Sequence, residues 1–251
     1  MLRVLMFAAV LLVAGGPVQA AERVRVGILK LTSSAPIFIG VEKGFFQEQG
    51  VDVELTFLQA AAPIATALAA GQIDVGATGL TAALYNIVLG GERIWIVADK
   101  GREWPGYPLT AIVVQKDLWD AGVRAVSDLK GRRIGVTQLG STFHYQLGNV
   151  LEKEGLSLGD VKIAPLQAMS ASLEALRGKQ VAAITAKYTG ASPDVIRVGF
   201  PYQDRNGRFP AEDIEKQMTW WVRHGFMKAT IPRREIVDTS FVEAAIKALG
   251  E

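Results

Sequence analysis

Four short segments of the sequence place hydroxyl, amide or small residues just before a predicted helix. Backbone N–H groups at a helix N-terminus bind anions, because they point at the ligand and lie at the positive end of the helix dipole. The pattern predicts a site for a sulfonate, nitrate, carboxylate or phosphate group. The candidate ligand-binding residues are Ser33, Ser34, Gln59, Ala60, Thr78, Gly79, Gly140, Ser141 and Thr142.

Three of these residues, Ser33, Thr78 and Ser141, also fit an ordinary structural role. Short hydroxyl residues are favoured as helix N-caps, because the side-chain oxygen accepts a hydrogen bond from a free backbone N–H of the first turn. Taken singly, each residue is more typical of a cap. Four such loops in one chain favour a binding site.

Aromatic residues near the middle of the chain could form the apolar wall of such a site. Trp104 stands in EWPGYP, a loop sequence, and could stack on an organic ligand or pack at a hinge. His144, in the first turn of a predicted helix, could donate to an anion or lie partly exposed at the surface. Asp99 and Lys100 could reach the cleft, although charges at the start of a loop are usually solvated. Trp220, Trp221 and His224 fit the packed face of a C-terminal helix.

Few residues are available for catalysis. The two histidines lie 80 positions apart and the chain has no cysteine, so the sequence predicts neither a metal cluster nor a nucleophile triad. Neither the phosphate-binding GxxxxGK[ST] motif nor the dinucleotide-binding GxGxxG motif occurs. We therefore expect a binding protein that has no metal, no cofactor and no catalytic residues.

The candidate residues follow strands in a repeating βα pattern, which is typical of a parallel sheet. Ligands of such sheets bind beyond the carboxyl ends of the strands. In the first half of the chain the pattern predicts strands at Val24–Leu29, Val51–Leu58, Ile73–Ala77 and Arg93–Ala98. The helices predicted between them are one containing Phe38, Val41 and Phe45, then Pro63–Ala70 and Thr81–Leu89.

A second βα pattern follows. It predicts strands at Thr110–Val114, Arg133–Val136, Val161–Pro165 and Val181–Ile184, with helices at 143–151 and Ala171–Arg177. After Lys187 the sequence favours helices alone, starting at Ser192, over Ala211–His224 and over Phe241–Leu249.

The first 20 residues have the three parts of a secretory signal peptide. Arg3 is followed by the apolar run Val4–Val13 and by Val18-Gln19-Ala20, which predicts cleavage after Ala20. A run this short favours a signal peptide over a membrane anchor, which needs about 20 residues. Export without cysteine-dependent lipidation or disulfides indicates a periplasmic protein. The 27 basic and 25 acidic residues nearly balance, which argues against a nucleic-acid partner.

Several longer segments occur in one order along the chain: GVEKGFFQEQGVDVEL, ALAAGQIDVGATG, DLKGRRIGV with LGSTFHYQL, and AKYTGASPDVI. On these segments the sequence resembles the nitrate/sulfonate/taurine-type, THI5-like substrate-binding proteins of ABC transporters. The resemblance implies an α/β, two-lobed periplasmic binding protein fold of type II, which closes like a hinge on a small anionic solute. It also implies a monomer that delivers this solute to an ABC permease and ATPase complex in the inner membrane.

The chain departs from the family pattern after the segment Val181–Thr185. The phrase that resembles the third strand of the second lobe runs directly into AKYTG, which in the family belongs to a helix much nearer the C-terminus. An internal deletion would explain this junction. We therefore expect a signal peptide at 1–20, a first lobe from 21–108 plus 187–251, and a truncated second lobe at 109–186.

Two other functional classes share the fold. Enzymes similar to chorismate dehydratase or to yeast pyrimidine-precursor synthases are one alternative. The chorismate dehydratase group is cytoplasmic, which conflicts with the signal peptide. The pyrimidine-precursor synthases depend on a cysteine-rich motif, which this sequence does not contain. A ligand-sensing module outside transport is the other alternative, and its sequence would look the same.

Overall fold

The computed structural model describes residues 21–107, 109–167, 202, 204 and 206–249. The predicted signal peptide, the helix Ala171–Arg177, the strand Val181–Ile184 and the helix starting at Ser192 lie outside the described residues. Within the described part of the chain, no helix is both long and apolar enough to span a bilayer.

The N-terminal unit is a parallel three-stranded sheet with helices between its strands. Strand β1 (Glu22–Ile28) lies in the centre, between β2 (Val51–Phe57) and β3 (Val75–Ala77). Its consecutive residues Val26, Gly27 and Ile28 are all buried, and since neighbouring residues of a strand point to opposite faces, both faces of β1 are covered. The connecting helices are α1 (Ala35–Glu42), α2 (Phe45–Glu48), α3 (Ala61–Ala69) and α4 (Ala82–Leu89).

Local sequence explains where these helices begin and end. Pro36 lies in the first turn of α1, where its missing N–H costs nothing. Gly44 separates α1 from α2 by a turn in which its φ is +76°, a conformation that glycine adopts easily and residues with a side chain rarely adopt. The hydroxyl of Thr81 accepts from the backbone N–H of Leu84 at 3.1 Å and caps α4.

The second unit is smaller. It contains α5 (Lys116–Asp120), β4 (Arg133–Val136), α6 (Thr142–Lys153) and β5 (Lys162–Pro165), and β4 pairs in parallel with β5. Short 3-10 turns at Val126–Leu129 and Leu158–Asp160 lead into the two strands. The core of this unit consists of Val123, Leu129, Val136, Leu147, Leu151 and Val161. Leu147 is therefore buried, although this unit has few strands among the described residues.

Two predicted strands do not form. In the segment 93–98 only Ile96 pairs, through a single parallel bridge with Val237 from the C-terminal region, so the segment does not extend the sheet. The segment 110–114 has no described strand beside it to supply hydrogen bonds. Its apolar side chains Ile112 and Val113 are consequently exposed rather than packed.

The C-terminal helix α7 (Ala211–Arg223) packs on both units, and α8 (Ser240–Leu249) follows it. On one side Ile214, Met218 and Trp221 join Ala82 and Tyr85 of α4 in a buried cluster. On the other side α7 contacts α6 of the second unit. The prediction that Trp220, Trp221 and His224 fit the packed face of a C-terminal helix is confirmed for the two tryptophans, which are buried, whereas His224 follows the helix and is half-buried.

A carboxylate fastens α7 to α6. Glu152 of α6 accepts hydrogen bonds from Trp220 Nε1 at 3.0 Å and from Arg223 at 2.6 Å, both on α7. Its third contact is with Nε2 of His224, the residue that follows α7, at 2.8 Å. These three groups hold the pKa of the Glu152 carboxyl below its usual range, although its partial burial opposes them. The pairing keeps α7 in place between the two units.

Candidate ligand-binding site at the junction of the two units

The predicted binding loops of the N-terminal unit meet at one edge of its sheet. Ile28 of β1 is in register with Phe57 of β2 and with Ala77 of β3. The loops that follow these strands therefore leave the sheet at the same edge. The sequence prediction that they lie beyond the carboxyl ends of parallel strands is confirmed.

Ser33 and Ser34 lie in the loop after β1 and are buried, with exposed fractions of 4% and 0%. Neither side chain caps α1. Instead the Ser34 hydroxyl donates to the carbonyl of Leu29 at 2.8 Å. Both hydroxyls also accept from the ammonium group of Lys100, at 2.6 Å for Ser33 and 3.4 Å for Ser34. For Ser33 the N-cap interpretation is thus wrong.

Lys100 is a candidate binding residue whose burial the sequence pattern did not predict. Its charge was expected to be solvated, but burial lowers the pKa of its ammonium group to about 8, while the negative charge of Asp99 opposes that shift. Asp99 itself accepts from Arg102 at 2.6 Å and from the backbone N–H of Gly101 at 2.8 Å. In the sequence, the only signal for this role is that Lys100 follows the predicted strand Arg93–Ala98 closely, since residues just after a strand can reach the cleft.

Gln59 and Ala60 stand in the loop after β2. Ala60 is the buried N-cap residue of α3 and offers only its backbone, whereas the side chain of Gln59 is exposed. Within the described residues, no hydrogen bond joins Gln59 to the other candidate residues. The assignment of this pair to the site stays a prediction.

The loop after β3 meets the loop before α6, so the two units touch at the candidate site. The backbone N–H of Ala82 donates to the carbonyl of Gly140 at 3.0 Å. The hydroxyl of Thr142 donates to the carbonyl of Leu80 at 2.8 Å. Gly79 lies against Thr142, and a Cβ on Gly79 would stand 2.6 Å from Thr142 Oγ1. Three predicted residues from distant parts of the sequence, Gly79, Gly140 and Thr142, are therefore brought together.

Thr78 supplies an unusual polar atom at this junction. Its Oγ1 is buried and has no hydrogen-bond partner among the described residues. The N-cap interpretation of Thr78 is wrong, because Thr81 caps α4. A buried hydroxyl without a partner is costly, and it is commonly satisfied by a ligand or water.

Ser141 and His144 are buried beside Gly140. Ser141 Oγ accepts from the backbone N–H of His144 at 3.3 Å, so its N-cap interpretation is confirmed. His144 is 2% exposed, which corrects the expectation of a surface position. Its Nδ1 accepts from the backbone N–H of Gly140 at 3.0 Å. The ring packs against Phe226, Trp220 and Trp221 at centroid distances of 5.0 to 6.4 Å.

The surroundings of His144 favour its neutral form. Burial lowers the pKa of its imidazole, and the charge of nearby His224 lowers it further. Since Nδ1 accepts a hydrogen bond, the ring hydrogen is on Nε2, which is buried without a partner among the described residues. A ligand-binding role for His144 stays a prediction.

Trp104 belongs to a separate, exposed aromatic group. Its ring stacks on Tyr202 at a centroid distance of 5.0 Å and remains 47% exposed. The guanidinium of Arg102 lies over both rings, 5.2 Å from the centroid of Trp104 and 4.7 Å from that of Tyr202. Since Arg102 also pairs with Asp99, this group is linked to the residue next to Lys100.

No group of three or more histidine, aspartate or glutamate side chains that could hold a metal ion occurs among the residues that the structure describes. The chemistry available at the junction consists of backbone N–H groups, hydroxyls and one buried ammonium group. Groups of these kinds can form hydrogen bonds and ion pairs with an anion.

Two parallel α/β units that meet at the carboxyl ends of their strands form a two-lobed periplasmic binding protein fold of type II. The family model described as NMT1/THI5 like matches residues 31–199, and the chain belongs to this family. No curated protein sequence matches the chain.

Solved structures agree with this fold. The chain is 14% identical to a ligand-binding component of an ABC-type import system from Staphylococcus aureus, with a TM-score of 0.63 over 89% of this chain and 99% of that chain. It is 15% identical to the periplasmic sulfonate-binding protein SsuA from Methylobacillus flagellatus. The TM-score is 0.56, over 93% of this chain and 96% of that chain.

A third structure is matched over a shorter part. The alkanesulfonate-binding protein SsuA from Xanthomonas axonopodis, bound to MOPS, is 25% identical with a TM-score of 0.45, over 61% of this chain and 50% of that chain. The chain thus spans about half the length of this relative.

Proposed function

We propose that the protein is the extracytoplasmic substrate-binding component of an ABC importer for a small anion or an organic solute with an anionic head, such as a sulfonate, nitrate or taurine-like compound. The observation that carries the proposal is the direct contact between the strand-to-helix loops of the two units, at Gly79, Gly140 and Thr142. Membership of the NMT1/THI5-like family supports the same role.

The geometry also supports a closing mechanism. A ligand held between two lobes contacts both of them only in the closed state, so its binding free energy favours closure. Here the hydrogen bonds from Ala82 to Gly140 and from Thr142 to Leu80 join the two units beside the buried hydroxyl of Thr78. Ser33, Ser34 and Lys100 supply polar groups at the same edge of the first sheet.

The proposal includes export and partners. Cleavage after Ala20 would release a monomeric protein into the periplasm, where it would deliver its solute to a permease and ATPase complex in the inner membrane. In the domain division that we propose, 21–108 and 187–251 form the first lobe and 109–186 form a shortened second lobe. Mass spectrometry of the exported protein tests the first step, and an intact Met1 in a membrane fraction would contradict it.

We propose binding rather than catalysis. The similar structures in Staphylococcus aureus and Methylobacillus flagellatus are binding components, which supports this choice. The candidate residues offer hydrogen bonds and charge, which are sufficient to hold a solute without any covalent reaction.

Titration calorimetry of the purified protein against taurine, alkanesulfonates, nitrate, bicarbonate and aromatic carboxylates tests the proposed function. We expect at least one anion to bind, and Thr142→Val to weaken its binding, because this variant removes the hydrogen bond to Leu80 while keeping the side-chain volume. Thr219→Val, on the exposed face of α7, is the matched control. Binding of neutral or cationic solutes alone would contradict the proposal.

A further inference from the structure

His144 is joined to the loop before α6 by two hydrogen bonds. Its backbone N–H donates to the hydroxyl of Ser141, and its ring Nδ1 accepts from the backbone N–H of Gly140 at 3.0 Å. His144 is the third residue of α6, where a capping box has a glutamate or glutamine whose side chain reaches back to the N-cap residue. Here the imidazole supplies the acceptor, and its partner is the residue before the N-cap.

Gly140 connects this loop to the first unit. Its N–H is held by His144, and its carbonyl accepts from the backbone N–H of Ala82, the first residue of α4, at 3.0 Å. The contact is close, since a Cβ on Gly140 would lie 3.2 Å from the Cβ of Ala82. Because both polar groups belong to one residue, the direction of the carbonyl depends on how the N–H is held. The imidazole therefore stabilises a contact between the two units.

The imidazole of His144 has little room to move. The residue is 2% exposed. Aromatic rings enclose it at centroid distances of 5.0 to 6.4 Å, and they belong to Phe226, Trp221 and Trp220. Its Nε2 has no hydrogen-bond partner among the described residues. The bond to Gly140 is thus the polar contact that the described structure gives this ring.

A proton on Nδ1 would break the bond to Gly140. A protonated imidazole donates from both ring nitrogens, so two N–H groups would face each other at the present separation. Because the surrounding rings hold the imidazole, the backbone at Gly140 would have to turn, and its carbonyl would leave Ala82. Leaving a buried N–H without an acceptor is costly, which favours this rearrangement of the loop.

We propose that His144 is a positioning residue of the ligand site: its unprotonated Nδ1 holds the loop 138–142 in the conformation that binds the solute, and its protonation releases the loop and the solute together. The inference rests on the proposed function, to which it adds regulation by pH. His144 acts through Gly140 and needs no contact with the solute.

The described groups around His144 set the pH range. Burial lowers the pKa of the imidazole below its ordinary value of 6.5, and the charge of His224 lowers it further. His224 lies beside the Glu152 carboxylate, which also accepts from Arg223. The titratable side chain that α4 adds to the neighbouring core is Tyr85, which is neutral at ordinary pH.

Solute and proton compete for the free protein, because the solute binds when His144 is neutral. Affinity is therefore constant while the pH stays above the pKa of His144 in the free protein. Below that pKa it falls by at most about tenfold per pH unit.

Titration calorimetry with ethanesulfonate, taurine and nitrate tests the inference, since the acidic group of each stays ionised where histidine titrates. Long-range 1H–15N spectra of the free protein give the tautomer and the pKa of His144, and the chain has only two histidines to assign. Affinities are then measured at about pH 7.5 and on the acid side of that pKa. We expect the wild type to bind at least about threefold more weakly on the acid side.

Three variants assign the effect. His144→Leu removes the acceptor and should weaken binding at about pH 7.5 by at least about fivefold. His144→Gln keeps an acceptor that does not titrate, so it should bind within about threefold of the wild type and lose the fall in acid. His224→Gln is the matched control, which removes the other histidine and should keep the fall.

The outcomes separate the inference from the proposed function. If an anion binds His144→Leu as tightly as the wild type, or if wild-type affinity is the same on both sides of the His144 pKa, the inference is wrong while the binding function stands. A hydrogen on Nδ1 at neutral pH, or a fall that disappears only in His224→Gln, would also overturn the inference alone. If none of the three anions binds the wild type at 10 mM, taken as roughly the weak limit of solute binding, both fail.

Two arms of the experiment are independent of each other. Should His144→Leu not fold, the pH profiles of the wild type and His144→Gln decide. Should the wild type unfold before His144 takes up its proton, the affinities of His144→Leu and His144→Gln at about pH 7.5 decide.

Discussion

Gly79 and Thr142 face each other across the junction of the two units, and the missing side chain of Gly79 allows them to meet. A Cβ at Gly79 would stand 2.6 Å from Thr142 Oγ1, closer than real Cβ atoms approach. Thr142 cannot simply turn away, because its hydroxyl donates to the carbonyl of Leu80. The contact therefore couples the position of one unit to that of the other.

Gly79→Ala should lower the free energy of unfolding by about 1–3 kcal/mol, because the new methyl group overpacks the junction and displaces Thr142. The cost should shrink in a Thr142→Ala background, where the hydroxyl is gone, and this coupling can be measured by a double-mutant cycle of urea unfolding. Gly159→Ala is the control, since a Cβ there meets nothing closer than 3.5 Å. Strict additivity of the two changes would contradict the contact.

Gly148 plays a similar part between α6 and α7. A Cβ at this position would overlap the indole ring of Trp220. We expect Gly148→Ala to destabilise the protein by about 1–3 kcal/mol, although alanine favours an isolated helix by about 1 kcal/mol over glycine. Thermal or urea unfolding measures the change. In a Trp220→Leu background the same substitution should become neutral or stabilising, and a persistent cost there would count against the proposed overlap.

The phenol of Tyr85 ties α4 to α7 through a buried hydrogen bond in which it donates to Gln217 Oε1. Burial raises the pKa of Tyr85, so the phenol stays neutral at ordinary pH. Tyr85→Phe should cost about 1–3 kcal/mol of stability, because the buried amide oxygen of Gln217 loses its donor. Tyr107→Phe, at a half-exposed ring, should change stability by less than about 0.5 kcal/mol in the same urea titration. Equal effects of the two variants would contradict this account.

Acid should weaken the fold partly through His144. Its pKa in the folded protein lies below the ordinary value of 6.5, so the unfolded chain binds the proton more readily. The free energy of unfolding therefore falls as the pH drops below about 6.5, by at most about 1.4 kcal/mol per pH unit, until the folded-state pKa is passed. Urea titrations at several pH values measure this dependence.

Two variants test whether His144 or Glu152 causes the loss of stability below about pH 6.5. His144→Gln should reduce the loss of stability between about pH 6.5 and pH 5. The lowered pKa of Glu152 acts in a different range, because its contribution is lost only as the pH falls below its ordinary value of 4.5. Glu152→Gln should therefore keep the loss below pH 6.5. An unchanged pH profile in His144→Gln would show that other groups cause it.

The second unit should exchange its backbone hydrogens faster than the first. β1 is a central strand paired on both sides, whereas β4 and β5 form a two-stranded sheet among the described residues. If an internal deletion has shortened the second lobe, exchange should be slow over 24–77 and fast over 133–165, as measured by mass spectrometry. Uniform protection together with tight ligand binding would indicate a complete lobe, and the deletion hypothesis would then be withdrawn.

Most of the local structure could be predicted from the sequence, because it depends on the spacing of apolar residues and on glycine, proline and capping residues within short segments. The alternation in β1, the proline at the start of α1 and the glycines after α1 predict elements that the structure contains. Ser141 as the cap of α6 follows from the same local chemistry. The family resemblance then extends these local patterns to a two-lobed fold.

Tertiary structure alone decided which residues meet. The segments 93–98 and 110–114 have strand-like sequences, but a strand also needs a neighbour, and only Ile96 finds a single paired residue there. His144 could have been exposed or buried, and the aromatic residues of α7 and its following loop enclose it. Lys100 reads as a solvated charge, but packing of its chain segment beside Ser33 buries it. The contact between Gly79 and Thr142 likewise depends on how two units dock, which no local pattern encodes.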